Sequence, residues 1–384
     1  MLKRIPKTEL RLGMYIHSLD QGWLSHPFLR GSFLLRKEAD LKRLQGEGEG
    51  GVTIDTAKGL DTAEPPVPPA RVPYPQELAT AREIKREADA IVHSLFMDVR
   101  MGRQIQVERL EPVVLRMTDS ILRSPGTLVN LCRLRAADRA TFQHCVSSCA
   151  LLIMFGHHLH LDRTTLREAG IGGLLHDIGK MRVPNHILNK PGELNEAESA
   201  IMRRHVELGL ETLAGTPGVS SLVMAVAAEH HERLDGSGYP RGLRGFHISP
   251  MGRMATIVDV YDAMTAQRIY HQGMEPAEAL QRLYQGYPGC FDEDLVQHFI
   301  QALGIYPVGS LVRLESNRLA VVVGQNRSGM LHPVVRVFHD IASGQDLPPF
   351  DLDLSGADDA VRGHENPADW KLDPHAWTAW GAEA

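Results

Sequence analysis

Leu174-Leu175-His176-Asp177-Ile178-Gly179-Lys180 is an apolar helical run with a histidine, a carboxylate and a lysine set into it. Burying such groups unpaired is costly, so an interior His-Asp pair calls for a common partner. A metal ion satisfies both at once. Neutral imidazole nitrogen and carboxylate oxygen suit Fe, Mn or Zn, and one carboxylate can bridge two ions. An HD dipeptide alone is weak evidence, because a chance surface pair explains most of them; its surroundings decide.

Working outward, the pattern from about 126 to 304 is helical, with Gly/Pro loops at 184–194, 215–220, 234–253 and 286–290. His144 falls on a predicted helix from Thr141 to Ile153, and His205 on another. Glu229-His230-His231-Glu232 follows, and then Asp259 on a predicted helix from Met254 to Ala266, with Asp262 one turn further. Each helix is otherwise apolar on the face that carries the histidine or aspartate. His144, His176, His205, His230 and His231, with Asp177 and Asp259, can therefore supply two metal ions sharing Asp177, with positions left for water. Such a pair of ions suits attack on a phosphodiester. The chain holds 19 histidines and no polyhistidine tract, which fits the use of some as ligands.

The flanks read differently. Residues 1–62 form an expected small β-rich domain, because the apolar runs Gly13-Met14-Tyr15-Ile16, Ser32-Phe33-Leu34-Leu35 and Gly51-Val52-Thr53-Ile54 are separated by turn residues; its expected role is regulatory or partner-binding, with the signal unknown. A stiff Pro-rich linker follows at 63–75, including Glu64-Pro65-Pro66-Val67-Pro68-Pro69. Connecting helices at 76–125 carry two seams at helical spacing: Ile84, Ala88, Ile91 and Leu95, then Val107, Leu110, Val114, Met117 and Ile121. Those seams face a core within the chain or, alternatively, a second copy in a homodimer. Strand-like runs at Gly309–Leu314, Leu319–Val323 and Pro333–Phe338 predict a short C-terminal β-meander over 306–345. A tail at 346–384 has Trp370, Trp377 and Trp380 as docking points.

Composition narrows the class. A hydrophobic share of 43% with 23% charged residues excludes wholesale disorder. Forty-one basic against 47 acidic residues, a net charge of -6, argue against a nucleic-acid polymer or an anionic membrane as partner of the whole chain. The cysteines Cys132, Cys145, Cys149 and Cys290 contain no CxxC pair and fit a reducing compartment. With no secretory pattern at the start and no apolar stretch near about eighteen residues, a cytoplasmic location is expected.

These segments resemble the HD-GYP subgroup of the HD phosphohydrolase superfamily, the bacterial cyclic di-GMP phosphodiesterases. The resemblance rests on His176-Asp177-Ile178-Gly179-Lys180, Val183-Pro184, Ile187-Leu188-Asn189-Lys190-Pro191-Gly192 and His205 with its following Glu-Leu-Gly. It continues with His230-His231-Glu232-Arg233-Leu234-Asp235-Gly236-Ser237-Gly238-Tyr239-Pro240 and ends with Asp259-Val260-Tyr261-Asp262-Ala263-Met264-Thr265 and Arg268. It covers about 126–305. The first sixty residues are similar to the domain of unknown function often placed ahead of HD-GYP modules, on Trp23-Leu24-Ser25-His26-Pro27-Phe28 and Ile54-Asp55-Thr56.

The resemblance implies a mainly α fold, with a helical-bundle HD-type metallohydrolase domain at 126–305. It implies that His144, His176, Asp177, His205, His230, His231 and Asp259 are metal ligands for two divalent ions, Fe or Mn first, with Zn, Ni or Co also admissible. The implied reaction is hydrolysis of cyclic di-GMP to pGpG and/or GMP by a dinuclear-metal-activated hydroxide. Lys180 would contact the scissile phosphate or its metal-bound water, and Arg268 would grip a substrate phosphate. Gly236, Gly238, Tyr239 and Pro240 make the loop that names the family. Its glycines let the backbone turn sharply, and Tyr239 offers a ring to stack on guanine. The same loop alternatively serves as a structural turn, or as a docking surface for other signalling proteins.

Departures qualify the ligand set. Some family members carry a Glu four residues before the first histidine and bind a third ion there; Ala140 stands at that place, so two ions are expected. His186 occupies a usually acidic loop position and reads as solvent-facing. His271 stands where a fixed cation is common. His157, His158 and His160 read as surface or helix-capping residues. Glu229 and Glu232 read equally as partners that orient imidazoles and as surface charges. Lys180, Arg182, Lys190, Arg203, Arg204, Arg233, Arg241, Arg244, Arg253 and Arg268 cluster in sequence around the motifs and suit an anionic substrate. Among them, Arg203 and Arg204 read as a solvated helix face. Two competing functions are an HD-type phosphohydrolase of another nucleotide, and a cyclic di-GMP-binding or docking module with little turnover. The loop argues against the first, and the complete ligand set against the second.

Overall fold

The computed structural model describes residues 2–7, 10–19, 33–46, 51–60, 74–133, 140–266, 273–326 and 330–372. Contacts divide the chain into two units, Met1–Pro69 with His160–Thr165 and Ala70–Leu159 with Leu166–Ala384. Residues 63–73 of the expected linker, the run Trp23–Phe28, Trp377 and Trp380 lie outside the described residues, as do Arg268 and His271.

The first unit contains an antiparallel sheet of β1 (Leu2–Pro6), β2 (Tyr15–Leu19), β3 (Phe33–Leu34) and β4 (Gly51–Asp55), in the order β1-β4-β2-β3. Helix α1 (Glu38–Gly46) joins β3 to β4. Ile5, Leu10, Met14, Ile16, Leu35, Leu44, Val52 and Ile54 form its core. The apolar runs expected to be strands lie in or beside β2, β3 and β4. β1 and α1 were not legible, because the sequence of β1, Leu-Lys-Arg-Ile-Pro, shows no alternating apolar run. Pairing with β4, from Leu2 opposite Asp55 to Pro6 opposite Gly51, makes it a strand.

The second unit is mainly helical. Its helices are α2 (Tyr74–Arg100), α3 (Glu111–Arg123), α4 (Pro125–Arg133), α5 (Ala140–His158), α6 (Arg163–Leu175), α7 (Asn185–Leu188), α8 (Glu196–Arg203), α9 (His205–Ala214), α10 (Ser221–Glu229), α11 (Pro250–Thr265), α12 (Pro276–Gln285) and α13 (Glu293–Leu303). A helix that is apolar all round belongs inside, and α5 is such a helix: Cys145, Val146 and every residue from Cys149 to Phe155 are at most 2% exposed. Helices α2, α3, α4, α11 and α13 pack on it. Ile84, Ala88, Leu95, Val107, Leu110, Val114, Met117 and Ile121 are each at most 4% exposed within the single chain. That is the intrachain reading of the two seams. Ile91, the remaining seam position, is half-buried.

The helices are followed by a five-stranded antiparallel sheet of β5 (Leu311–Leu314), β6 (Arg318–Gly324), β7 (Val334–Asp340), β8 (Gln345–Asp353) and β9 (Val361–His364), in the order β8-β7-β6-β5-β9. Ordered structure therefore continues past residue 345, where the composition places the start of a tail. β8 reads as tail because Pro348, Pro349 and its aspartates lie on an exposed edge strand. It pairs through its backbone with β7 and needs no continuous apolar face. Trp370 packs against the cluster of Leu311, Leu319, Val321 and Phe338. Among the described residues, no helix is long and apolar enough to cross a membrane.

Candidate metal centre

Helix α6 ends at Leu175, so His176 and Asp177 lie not on a helix, as the sequence suggests, but in the turn before a 3-10 segment, Ile178–Arg182. On a continuous helix adjacent side chains diverge by about 100°; the turn lets both point the same way. Glycines on either side set the approach of neighbouring helices. A Cβ on Gly173 would lie 2.7 Å from the backbone nitrogen of Cys149, so α6 rests on the backbone of α5 and His176 comes to His144. A Cβ on Gly179 would lie 2.0 Å from the carbonyl oxygen of His205 and 2.4 Å from the nitrogen of Gly209, so the 3-10 segment rests on the first turn of α9. His230 caps the C-terminus of α10 with His231 next to it, and Asp259 projects from the middle of α11.

These elements gather two histidine-rich donor groups, which a third, of Cys145, His176 and Asp177, overlaps. Asp177, His205, His230 and His231 offer ligand atoms within 4.8 Å of one another, and so do His144, His176 and Asp259. The carboxylate of Asp177, 1% exposed, reaches both groups. Its Oδ1 is 3.2 Å from His205 Nε2 and 3.8 Å from His230 Nε2, while its Oδ2 is 3.5 Å from His176 Nε2 and 3.6 Å from His144 Nε2. His231 Nδ1 and His144 Nε2 stand 3.2 and 3.1 Å from opposite oxygens of Asp259.

Proton positions show what the cluster needs. His205 Nδ1 donates to the Met202 carbonyl at 2.8 Å and His230 Nδ1 to the Ala227 carbonyl at 3.0 Å. A carbonyl only accepts, so each Nδ1 carries a proton, which leaves each Nε2 as the atom able to ligate a metal. Those Nε2 atoms face each other at 3.4 Å, beside Asp177 Oδ1, which is buried and accepts no hydrogen bond among the described residues. Three atoms able to ligate a metal converge there. The donor set fits a divalent cation.

Electrostatics keep the ligands in binding form. Burial pushes Asp177 upward, but Lys180 and the neighbouring imidazoles outweigh it and hold the carboxyl well below its usual range. Burial likewise raises Asp259, and His231 and His144 more than reverse that. Burial lowers His176 to about 4 and holds His230 well below its ordinary value. For His144, burial acts downward, yet hydrogen bonds to Asp259 and Asp262 prevail and raise it to about 9. Lys180 Nζ donates to Asp177 Oδ2 at 2.5 Å.

Asp262 is the residue that the sequence did not assign. Its Oδ2 accepts from His144 Nδ1 at 2.5 Å and its Oδ1 accepts from the Ser147 hydroxyl at 2.5 Å, fixing the ring so that Nε2 faces the cluster. Its place one turn after Asp259 on a buried helix face was the available signal. Carboxylates that orient a ligating imidazole are worth about 10- to 100-fold in metal affinity. Asp262→Asn is therefore expected to weaken binding of one ion by about that factor, read by metal titration; affinity equal to the wild type would refute the positioning role.

Glu229 and Glu232 take neither of the roles the sequence left open. Glu232, fully buried, accepts the backbone N–H groups of Arg241 at 2.8 Å and Leu243 at 2.9 Å. Glu229 accepts from Ser249 N–H at 2.8 Å and from the Arg241 guanidinium at 3.0 Å. Together they tie down the loop that carries Gly236, Gly238, Tyr239 and Pro240. Gly236 has φ +81°, Gly238 lies against the Glu232–Arg233 backbone, and the Tyr239–Pro240 peptide is cis. The Tyr239 ring is 4.6 Å from the His231 ring at an interplanar angle of 33°. His186 is exposed. His158 Nε2 is 3.4 Å from His298 Nδ1, and His160 has φ 57°; neither belongs to the two donor groups.

Comparison with known proteins places this geometry. The HD domain family matches residues 130–295, and a domain of unknown function, DUF3391, matches residues 2–110. The chain is 44% identical over 390 residues to the cyclic di-GMP phosphodiesterase PA4108 of Pseudomonas aeruginosa, covering 97% of this chain and 94% of that one. It is 41% identical over 145 residues to the 3'3'-cGAMP-specific phosphodiesterase 1 of Vibrio cholerae, 38% of this chain and 33% of that one. A solved structure of Bd1817, a HDG"Y"P protein from Bdellovibrio bacteriovorus, aligns at a TM-score of 0.49 and 18% identity, over 79% of this chain and 99% of that one. Similarity of the first kind, over nearly all of both chains, means that this protein belongs to the family of HD-domain cyclic di-GMP phosphodiesterases in which a DUF3391 domain precedes the HD domain.

Proposed function

We infer that the protein is a divalent-metal-dependent phosphodiesterase that hydrolyses cyclic di-GMP to pGpG and/or GMP. The observation that carries this reading is the buried carboxylate of Asp177, with one oxygen turned to each of two histidine-rich donor groups. His205, His230, His231 and Asp177 would hold one ion, and His144, His176, Asp259 and Asp177 the other. Nitrogen and oxygen donors of this kind suit Fe or Mn, and also Zn, Ni or Co. When bound, the ions supply an activated water and offset the charge that develops on the phosphoryl oxygens.

The protein's own side chains prepare that chemistry. Asp262 fixes the tautomer and direction of His144. Lys180 locks Asp177 in the orientation that serves both groups and sets a cation beside the position of the scissile phosphate. Glu229 and Glu232 hold the 236–249 loop against His231 through Tyr239. Arg268 is assigned to a substrate phosphate from the family resemblance. Anaerobic purification, elemental analysis and chromatography of the products from cyclic di-GMP, 3'3'-cGAMP and cyclic di-AMP test the reading together. Metal-loaded protein that leaves all three intact would sink it, and faster turnover of 3'3'-cGAMP would replace the substrate.

A proton linkage follows from His144. Without an ion it keeps its proton up to about pH 9, and a metal must displace that proton to bind. Apparent affinity is expected to rise about tenfold per pH unit below that value and to level off above it. Calorimetry in buffers of different protonation enthalpy at pH 7 reads the released proton directly; a heat independent of buffer contradicts the linkage.

A further inference from the structure

The charge of most basic side chains around the motifs is already committed. Lys180 pairs with Asp177, Arg182 with Glu211, Lys190 with Glu198, Arg241 with Glu229 and Arg253 with Asp292. Arg233 donates to the Glu232 carbonyl and lies over the Phe291 ring. Arg203, the last residue of α8, is exposed and has no carboxylate or hydrogen-bond acceptor among the described residues. It is nevertheless held in place. Its Cζ lies 5.2 Å from the centroid of the Tyr239 ring. That ring rests against His231, whose Nδ1 is 3.2 Å from Asp259. Tyr239 is anchored in turn by its N–H, which donates to the His231 carbonyl at 3.1 Å.

A contact with an aromatic face orients a guanidinium without neutralising it, because the ring carries no net charge. Arg203 therefore keeps a full positive charge and a complete fork of donors, two rings away from the metal-binding cluster. Arg204 and Arg244 have no such tether to the cluster. A cyclic dinucleotide carries two phosphates, and ions that engage the scissile one leave the other to cations of the chain, among which Arg203 is tethered beside the cluster. We propose that Arg203 grips the second, non-scissile phosphate of the substrate, positioned for it by Tyr239. The solvated helix face expected from the sequence is thus a rim of the site. The proposal rests on the cyclic dinucleotide reading and deepens it.

Steady-state kinetics, metal analysis and salt dependence of Arg203→Ala and Arg203→Lys test it. A charge-assisted, bidentate contact predicts a KM about 10- to 100-fold higher in Arg203→Ala. Metal content should be unchanged, kcat much less affected, and the rise of KM with salt shallower. Arg203→Lys should recover only part of the loss, since lysine keeps the charge and not the fork. A KM within about twofold of the wild type, or a loss of metal from Arg203→Ala, overturns the proposal. Calorimetric binding of cyclic di-GMP to chelator-treated protein reads the arginine without turnover. An equal Kd for wild type and Arg203→Ala overturns this proposal alone, whereas wild type that neither binds nor hydrolyses a cyclic dinucleotide overturns the function as well.

Discussion

Asp177→Ala is expected to lose bound metal and hydrolysis together. Its two oxygens face both donor groups, and removing it leaves each one oxygen short. His205 Nε2 and His230 Nε2, 3.4 Å apart, would then face each other without the anion that makes a cation stable between them. Lys180 would lose the carboxylate it bonds at 2.5 Å. The loss should exceed the roughly 10- to 100-fold that supporting residues such as Asp262 cost. Asp177→Asn keeps the shape and removes the charge, so it separates ligation from packing and is expected to fail similarly. Elemental analysis gives the metal content per chain, and product chromatography gives the rate. Near wild-type metal or turnover in either variant would dismiss Asp177 as the shared ligand.

Gly179→Ala is expected to be the most damaging single methyl group in the catalytic unit. Its Cβ would be driven to 2.0 Å from the His205 carbonyl oxygen and 2.4 Å from the Gly209 nitrogen, both backbone atoms that cannot rotate away. The 3-10 segment and α9 must separate, and with them Asp177 and His205. A cost of roughly 3–5 kcal/mol fits a clash of this kind, which in a unit of this size lowers Tm by about 10 °C. Gly215→Ala is the matched control: its Cβ meets open space and should change stability by less than about 0.5 kcal/mol. Thermal melting and metal content, measured on both variants, separate the two sites; equal melting would show that α9 yields easily and that the close approach has no structural weight.

Much of the site was legible because its residues break a pattern. A histidine or aspartate on an otherwise apolar helix face, as at His144 or Asp259, stands out against the hydrophobic period around it. Helix ends were harder. Helix α6 stops at Leu175 although its apolar run continues through Ile178, and no capping residue marks the change. Glu232 was ambiguous for another reason: a carboxylate that bonds backbone N–H groups nine and eleven residues away has no local signature. Strand β1 and strand β8 escaped because a strand that pairs through its backbone need not alternate visibly.

The donor chemistry was determined by the sequence itself, since only certain side chains ligate metal and their identities are written in it. So was the helical character of the unit that holds them, because the period of its apolar residues is local. Tertiary structure decided which of the 19 histidines meet, which oxygen of Asp177 faces which group, and that Asp262 directs His144. It also decided that the exposed Arg203 is held over the Tyr239 ring. Those outcomes depend on how closely backbones approach, at Gly173 against Cys149 and at Gly179 against His205. Such distances arise between segments far apart in the chain, and no run of neighbouring residues encodes them.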